Sequence, residues 1–339
     1  MQIERIPIVD REQWLALRRR DVTASAIGAL LGVSKYSSPF ALYALKAGIV
    51  AEEPDAPVID DWSITISPMG RGNLLEDAGA EMLRRLKPAW TVAKGTEYFR
   101  DPEARLGATP DIIVNDGTSI GVVNIKNPEQ SIWRREWRQE DGTIEVPTEY
   151  AAQVILEAHL VGASRAFIGA FIVGHRTEFR LVEVPLHDGV ITRVYDETAK
   201  FWRMVENKTP PGPDYNRDGK LLAAIYGDDN GKTVDLSGWN EAGEIADEDA
   251  RLAAEIKERA ERRKAIKAEV LAKVGSAAIA TINGDVFATA KTVRRGAYSV
   301  QPSEYRDVRI KGGSHVSTSI RKPSTDRTQQ SAVAPGDPF

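Results

Sequence analysis

Asp111-Ile-Ile-Val-Asn-Asp-Gly-Thr-Ser-Ile-Gly-Val-Val-Asn-Ile-Lys126 is the stretch on which the reading of the fold turns. Two apolar runs, Asp111-Ile-Ile-Val and Gly121-Val-Val-Asn-Ile-Lys126, flank Asn115-Asp116-Gly117. That tripeptide is a turn signal, so the segment reads as a β-hairpin. The two-residue step from Asn124 to Lys126 sends both side chains to one face of the sheet. A carboxylate, Asp111, and an ammonium, Lys126, are thereby expected on neighbouring strands.

Working outward, helices and strands alternate. Residues 74–86 carry a strong helical pattern behind Gly70 and Gly72, and from about Thr91 the period shifts towards strands. Pro147 to Leu160 reads as a helix, Ala166–Val173 and Glu178–Val184 as strands, and Asp188 to about Val205 as an amphipathic helix. Upstream, residues 11–48 read as helices broken by turns. Ser38-Pro39 supplies an N-cap with proline at the first helical position, and Gly48 suits the stop. Residues 50–63, rich in Pro, Asp and Glu, read as a loop. The fold class expected is α/β, with a mixed central sheet flanked by helices.

Asn207-Lys-Thr-Pro-Pro-Gly-Pro213 marks a change of composition, so the main domain is set at 1–213. A helical and β appendage is expected over 214–311, with a long charged helix at 242–274 and short strands around 277–291 and 304–311. Residues 312–339 lack periodicity and read as a disordered tail.

Composition narrows the chemistry. The 339 residues include no cysteine and four histidines, which excludes disulfides and thiolate zinc sites. Any metal should be a hard cation held by oxygen. The longest apolar stretch, 166–173, is too short to span a bilayer, and the charged opening residues are not expected to form a secretory signal. A net charge of −4 leaves nucleic-acid binding to local clustering of basic residues. The pairing of Asp111 with Lys126 suits phosphodiester hydrolysis. Carboxylates on rigid strands can hold Mg²⁺, and a nearby lysine can orient the attacking water and offset developing charge. Glu76, on the preceding helix, offers a second carboxylate.

The match to a known pattern is an ordered series. It runs through Trp14-Leu-Ala-Leu-Arg18, Thr23-Ala-Ser25, Leu31-Gly-Val-Ser-Lys-Tyr36-Ser-Ser-Pro39 and Gly72-Asn-Leu-Leu-Glu76. Thr109-Pro-Asp111, Asn124-Ile-Lys126-Asn-Pro128 and Pro147-Thr-Glu-Tyr150-Ala-Ala-Gln153 complete it. Over residues 8–205 the chain resembles the YqaJ-type viral recombinases and phage lambda exonuclease, within the PD-(D/E)xK nuclease superfamily.

The resemblance implies a restriction-endonuclease-like core and a Mg²⁺-dependent exonuclease, with Mn²⁺ as an alternative ion, that digests double-stranded DNA from 5′ ends and leaves 3′ overhangs. Asp111 and Glu76 would be metal ligands, Lys126 the catalytic lysine, and Gln153 a side chain projecting from the core helix into the site, braced by Tyr150. Arg18, Ser25 and Thr109 would bind the terminal 5′-phosphate. Implied too are double-stranded DNA ends and a single-strand annealing protein as partners, a closed homo-oligomeric ring, no membrane association, and a phage-encoded protein in the bacterial cytoplasm.

One position departs from the pattern. The family places an acid two residues before the lysine, whereas this chain has Asn124. An amide oxygen can ligate a hard cation but carries no charge, so metal affinity should fall. Glu157, one turn beyond Gln153, and Glu129, three residues after Lys126, are candidate substitutes. Two functional readings therefore stand: an active exonuclease, or a DNA-end-binding module weakened in catalysis. An endonuclease of related fold is a further alternative.

Other residues carry two readings each. Arg18-Arg-Arg20 is either a phosphate grip or a solvated helix end complementing the helix dipole. Ser25 binds phosphate or caps the next helix. Trp133-Arg-Arg-Glu-Trp137-Arg138 either stacks on bases or is a short helix with two tryptophans buried one turn apart. Glu76, Gln153 and Tyr150 could equally decorate packed or solvated helices. Histidines 159, 175, 187 and 315 show no ligand spacing.

Overall fold

The computed structural model describes residues 2–51, 58–59, 64–66, 68–294, 296 and 308–310. The chain divides into two compact units, the first ending at Ile225 and the second starting at Tyr226.

The first unit opens with β1 (Glu4–Pro7), α1 (Arg11–Arg20), β2 (Val22–Thr23), a 3-10 turn over Ala24–Ala26, α2 (Ile27–Leu30) and α3 (Pro39–Lys46). Asp10 caps α1 by accepting from the Gln13 amide, and Ser38 caps α3 in the same way, with Pro39 leading the helix. A short ladder of β3 (Val58–Ile59) and β4 (Ile64–Thr65) lies where a loop was expected. The helix expected from Leu74 begins earlier, as α4 (Pro68–Leu86), so Gly70 and Gly72 are helical rather than a preceding break.

Next come β5 (Thr91–Lys94), β6 (Glu97–Asp101), β7 (Leu106–Ala108), β8 (Ile112–Asn115) and β9 (Ile120–Lys126). After α5 (Gln130–Ile132) and a π-helical turn over Trp133–Trp137, the chain forms α6 (Thr148–Val161), β10 (Arg165–Val173) and β11 (Thr177–Val184). Gly162, at φ +76°, ends α6 in the left-handed conformation that glycine adopts most easily. α7 (Asp188–Asn207) and α8 (Gly219–Ile225) close the unit.

Five strands form a mixed sheet in the order β11-β10-β9-β8-β5. The β8–β9 hairpin is antiparallel, and its turn is clamped by Asp116, whose carboxylate accepts from Thr118 and Ser119. β9 and β10 are parallel, because α6 returns the chain to the starting edge before β10 begins. A second sheet, β1-β6-β7-β2, had no counterpart in the sequence reading beyond a general shift to strands.

Alternation along β9 divides the core. Val122 joins the cluster under α6, with Val154, Ile155, Ala158, Ala166, Ile168 and Ala170. Val123 and Ile125 join the opposite cluster, with Ala80 and Leu83 of α4 and with Phe167 and Phe171. Asn124 and Lys126 therefore share the face that looks to α6.

Residues 214–225 stay with the first unit, twelve positions past the expected boundary at 213, because a buried contact ties them there. Ser38 Oγ donates to both Asp218 oxygens at 2.7 and 2.8 Å, and Asp218 is 3% exposed. In the second unit, α9 (Ala242–Val274) matches the expected helix, and β12 (Ile279–Ile282) pairs with β13 (Asp285–Thr289). The expected strand at 304–311 lies largely outside the described residues, of which 308–310 carry no regular structure, and the expected disordered tail lies wholly outside them.

Candidate active site

Asp111 stands immediately before β8, where two contacts fix it. Its Oδ2 accepts from the Ile125 amide at 2.7 Å, and its carbonyl accepts from the Gly95 amide at 3.0 Å. Gly95 is required here, since a Cβ would come within 1.8 Å of the Pro110 carbonyl oxygen. Glu76 rises from α4 towards the same carboxylate. Its helix approaches β9 closely because Gly79 leaves room for Ile125, whose Cδ1 would lie 2.7 Å from any Cβ there.

Burial and the Asp111 charge push the Glu76 carboxyl up to about 7, with Lys94 opposing at 3.8 Å. Burial likewise raises Asp111, while Lys126, the Ile125 amide and Lys94 pull it down. Two carboxylates thus share one poorly solvated place and resist ionising together.

Across β9 a chain of polar contacts runs onto α6. Lys126 Nζ donates to Gln153 Oε1 at 3.0 Å, and Gln153 Nε2 donates to Glu157 Oε1 at 2.9 Å. Asn124 Nδ2 donates to both Glu157 oxygens, at 3.1 and 3.4 Å. Lys126 Nζ also sits 4.8 Å from the Tyr150 ring centre, a cation–π contact that braces it. Glu157 is 1% exposed, and burial with the Asp111 charge pushes it up to about 8. Asn124 Oδ1 is buried and has no hydrogen-bond partner.

A third group assembles at the end of α1. Arg18 Nη2 donates to Ser25 Oγ at 3.1 Å, and Ser25 Oγ lies 3.1 Å from Thr23 Oγ1. Trp14 Nε1 donates to Thr109 Oγ1 at 3.0 Å, and the Arg18 guanidinium stacks 4.4 Å from the Trp14 ring. Ser25 lies inside the 3-10 turn and caps neither that turn nor α2, so the capping alternative is set aside.

All of these groups line one cleft of about 1210 Å³: Arg18, Ser25 and Thr109, then Glu76 and Asp111, then Asn124, Lys126, Tyr150, Gln153 and Glu157. Glu129 lines it as well, without joining the Glu157 network. The tryptophans resolve towards the structural reading. Trp133 and Trp137 are 6% and 1% exposed and stack on each other at 5.0 Å, so neither presents a face to a base.

Sequence reasoning missed Arg71, whose Nη2 donates to the Asn127 carbonyl and Oδ1 at 3.3 Å each from the wall of the cleft. It stands just ahead of the Gly72–Glu76 motif, and that adjacency was the available signal. Lys94 was missed too, because nothing local distinguishes it from an ordinary strand lysine.

The oxygen-bearing side chains that line this part of the cleft are those of Asp111, Glu76 and Asn124, whose Oδ1 has no hydrogen-bond partner, all hard donors that suit Mg²⁺ or Mn²⁺. Among the described residues no three His, Cys, Asp or Glu side chains gather closely enough to hold a metal by themselves. With an amide at 124, the donor set has two carboxylates and a neutral oxygen.

The core is α/β, a mixed sheet with α4 on one face and α6 on the other, with Asp111 immediately before β8 and Lys126 at the end of the neighbouring β9. Residues 13–164 match the family model of the YqaJ-like viral recombinase domain, a stretch that contains every candidate residue of the cleft. It is 24% identical over 244 residues to the uncharacterized protein YqaJ of Bacillus subtilis (strain 168), covering 68% of this chain and 69% of that protein. Among solved structures it is similar to an alkaline exonuclease from Laribacter hongkongensis, with 22% identity, 62% of this chain and 100% of that chain covered, and a TM-score of 0.42. A phage-related exonuclease from Haemophilus somnus 129PT is similar at 12% identity, over 55% of this chain and 94% of that chain, with a TM-score of 0.39. No helix among the described residues is long and apolar enough to cross a membrane.

Proposed function

We propose that the chain is a metal-dependent exonuclease that digests double-stranded DNA from 5′ ends and leaves 3′ single-stranded overhangs for phage-type recombination. The observation carrying this reading is the convergence of Asp111, Glu76, Asn124, Lys126 and Gln153 on the cleft that also holds Arg18, Ser25 and Thr109. A basic and hydroxyl-bearing end would take the terminal phosphate, and an oxygen-lined floor would take Mg²⁺ or Mn²⁺.

Asp111, Glu76 and Asn124 Oδ1 are the groups that would hold the ion. Such an ion, when bound, lowers the pKa of water and offsets charge on the phosphodiester. Lys126, held by Gln153 and Tyr150, orients the attacking water and neutralises negative charge developing on the phosphate oxygens. Arg18 and Ser25, already hydrogen-bonded, form a receptor whose guanidinium and hydroxyl match a phosphate monoester. In this reading the protein is phage-encoded and works in the bacterial cytoplasm on duplex ends. A single-strand annealing protein loads on the overhang, and a homo-oligomeric ring encloses the duplex.

Incubation of 5′-phosphorylated linear duplex with Mg²⁺ or Mn²⁺ tests the reading. Nucleotides should be released from the 5′-labelled strand, circular duplex should survive, and Lys126→Ala should end release. Cleavage of circular duplex at the same rate would point instead to an endonuclease.

Asn124 favours one second reading, a DNA-end-binding module with weakened catalysis. Tight end binding without release, converted to cleavage by Asn124→Glu, would select it.

A further inference from the structure

Glu157 occupies a place where the pattern of α6 calls for an apolar residue. It lies on the face that packs Val154, Ile155 and Ala158 against the sheet, and it is 1% exposed. A carboxylate buried there destabilises the fold unless its oxygens are satisfied. They are satisfied by two side-chain amides, Asn124 at 3.1 and 3.4 Å and Gln153 at 2.9 Å.

In each of these contacts the amide NH₂ group donates and a Glu157 oxygen accepts. Both amides must therefore turn their NH₂ groups towards Glu157 and their oxygens away from it. For Gln153 the oxygen is thereby delivered to Lys126 Nζ at 3.0 Å. For Asn124 the same constraint leaves Oδ1 buried and unpartnered at the wall of the cleft. A buried unpartnered acceptor is uncommon and marks a place where a ligand or ion would complete the bonding. With an apolar residue at 157, the Asn124 amide could rotate and offer donors to the cleft, which would repel a cation.

We propose that Glu157 is a positioning residue of this site: from α6 it locks the Asn124 amide with its oxygen towards a divalent cation. The inference rests on the metal-dependent reading above and adds the residue that lets an amide serve where an acid is expected. By orienting Gln153, the same carboxylate also sets the position of Lys126, so one buried acid on α6 governs both the ion side and the lysine side of the cleft.

The test is calorimetric titration of the full-length protein with Mn²⁺, beside thermal unfolding by circular dichroism. Three proteins are compared: wild type, Glu157→Gln, and the exchanged pair Asn124→Glu with Glu157→Gln. Glu157→Gln should weaken Mn²⁺ binding about tenfold or more while remaining folded, because glutamine is nearly isosteric but no longer dictates the amide orientation. The exchanged pair should return binding to near the wild-type value, an outcome that a merely structural role for Glu157 does not produce. Unchanged binding in Glu157→Gln, or no recovery in the exchanged pair, overturns the proposal. If Glu157→Gln fails to fold, the exchanged pair decides alone. Absence of Mn²⁺ binding and of cleavage in the wild type would sink the nuclease reading together with this one. Wild-type binding and cleavage with an indifferent Glu157→Gln would sink this one only.

Discussion

Lys126 Nζ and Gln153 Oε1 lie 3.0 Å apart, joining the last residue of β9 to the second turn of α6. The ammonium is held from one side by this amide and from another by the Tyr150 ring at 4.8 Å. Its rotamer is thus set before any substrate arrives.

Lys126→Ala should lower the rate of nucleotide release at least about 100-fold, within the range of general acid–base and electrostatic contributions. Gln153→Ala should lower it less, because Tyr150 still braces the lysine. Single-turnover rates on phosphorylated linear duplex check both, and equal loss in the two variants would remove Gln153 from its supporting role.

Arg18 engages Ser25 and stacks on Trp14, which hydrogen-bonds Thr109. Arg18→Ala should reduce the preference for 5′-phosphorylated over 5′-hydroxyl ends. Loss of one charge-assisted hydrogen bond is worth about 1.5–3 kcal/mol, roughly a tenfold to hundredfold change in that ratio. The ratio of kcat/KM on the two substrates is the measurement; equal loss on both would count against phosphate recognition.

Glu157 titrates near 8 in the folded protein, against 4.5 in a solvated chain, through burial and the Asp111 charge, opposed by Gln153, Lys126 and Asn124. Below about 4.5 both states are protonated. Between about 4.5 and 8 the unfolded chain ionises while the folded one keeps its proton, so this residue makes stability fall as pH rises. Glu157→Gln removes that slope. In chelator, urea unfolding from pH 5 to pH 8.5 should show the variant gaining on the wild type by on the order of 3 kcal/mol. Parallel curves would contradict the assignment.

Gly95→Ala should displace Asp111, because the new methyl meets the Pro110 carbonyl, which is backbone and cannot rotate aside. Overpacking of this kind costs about 1–3 kcal/mol. A lower unfolding midpoint together with weaker Mn²⁺ binding is expected; a lower midpoint with unchanged binding would show that Asp111 holds its place without Gly95.

Local signals carried much of this structure. The Asn115-Asp116-Gly117 turn, the Ser38-Pro39 cap and the 242–274 helix depend on neighbours in the chain, and the periodicities around them are regular. What local signals could not carry are contacts made across long separations. Asp218 is held by Ser38, 180 positions away, which moves the edge of the first unit to Ile225. Strand β2 is two residues long and shows no period, yet it completes the second sheet against β7. Within the site, residue types and order pointed to Asp111, Lys126 and Arg18. The partnership of Asn124 with Glu157 depends on how α6 lies over β9, and only the packed structure displays it.

The side-by-side fates of Val123, Asn124, Ile125 and Lys126 set unequal tolerances to changes of length. An extra residue among Asp116 to Ser119 sits in an exposed connection and can be absorbed there. The same insertion between Gly121 and Lys126 would exchange inside for outside, steering the ammonium into the oily layer beneath α4 and an isoleucine towards Glu157. Length variants in this domain should therefore survive at the hairpin tip and vanish along the strand it feeds, whatever residues are inserted.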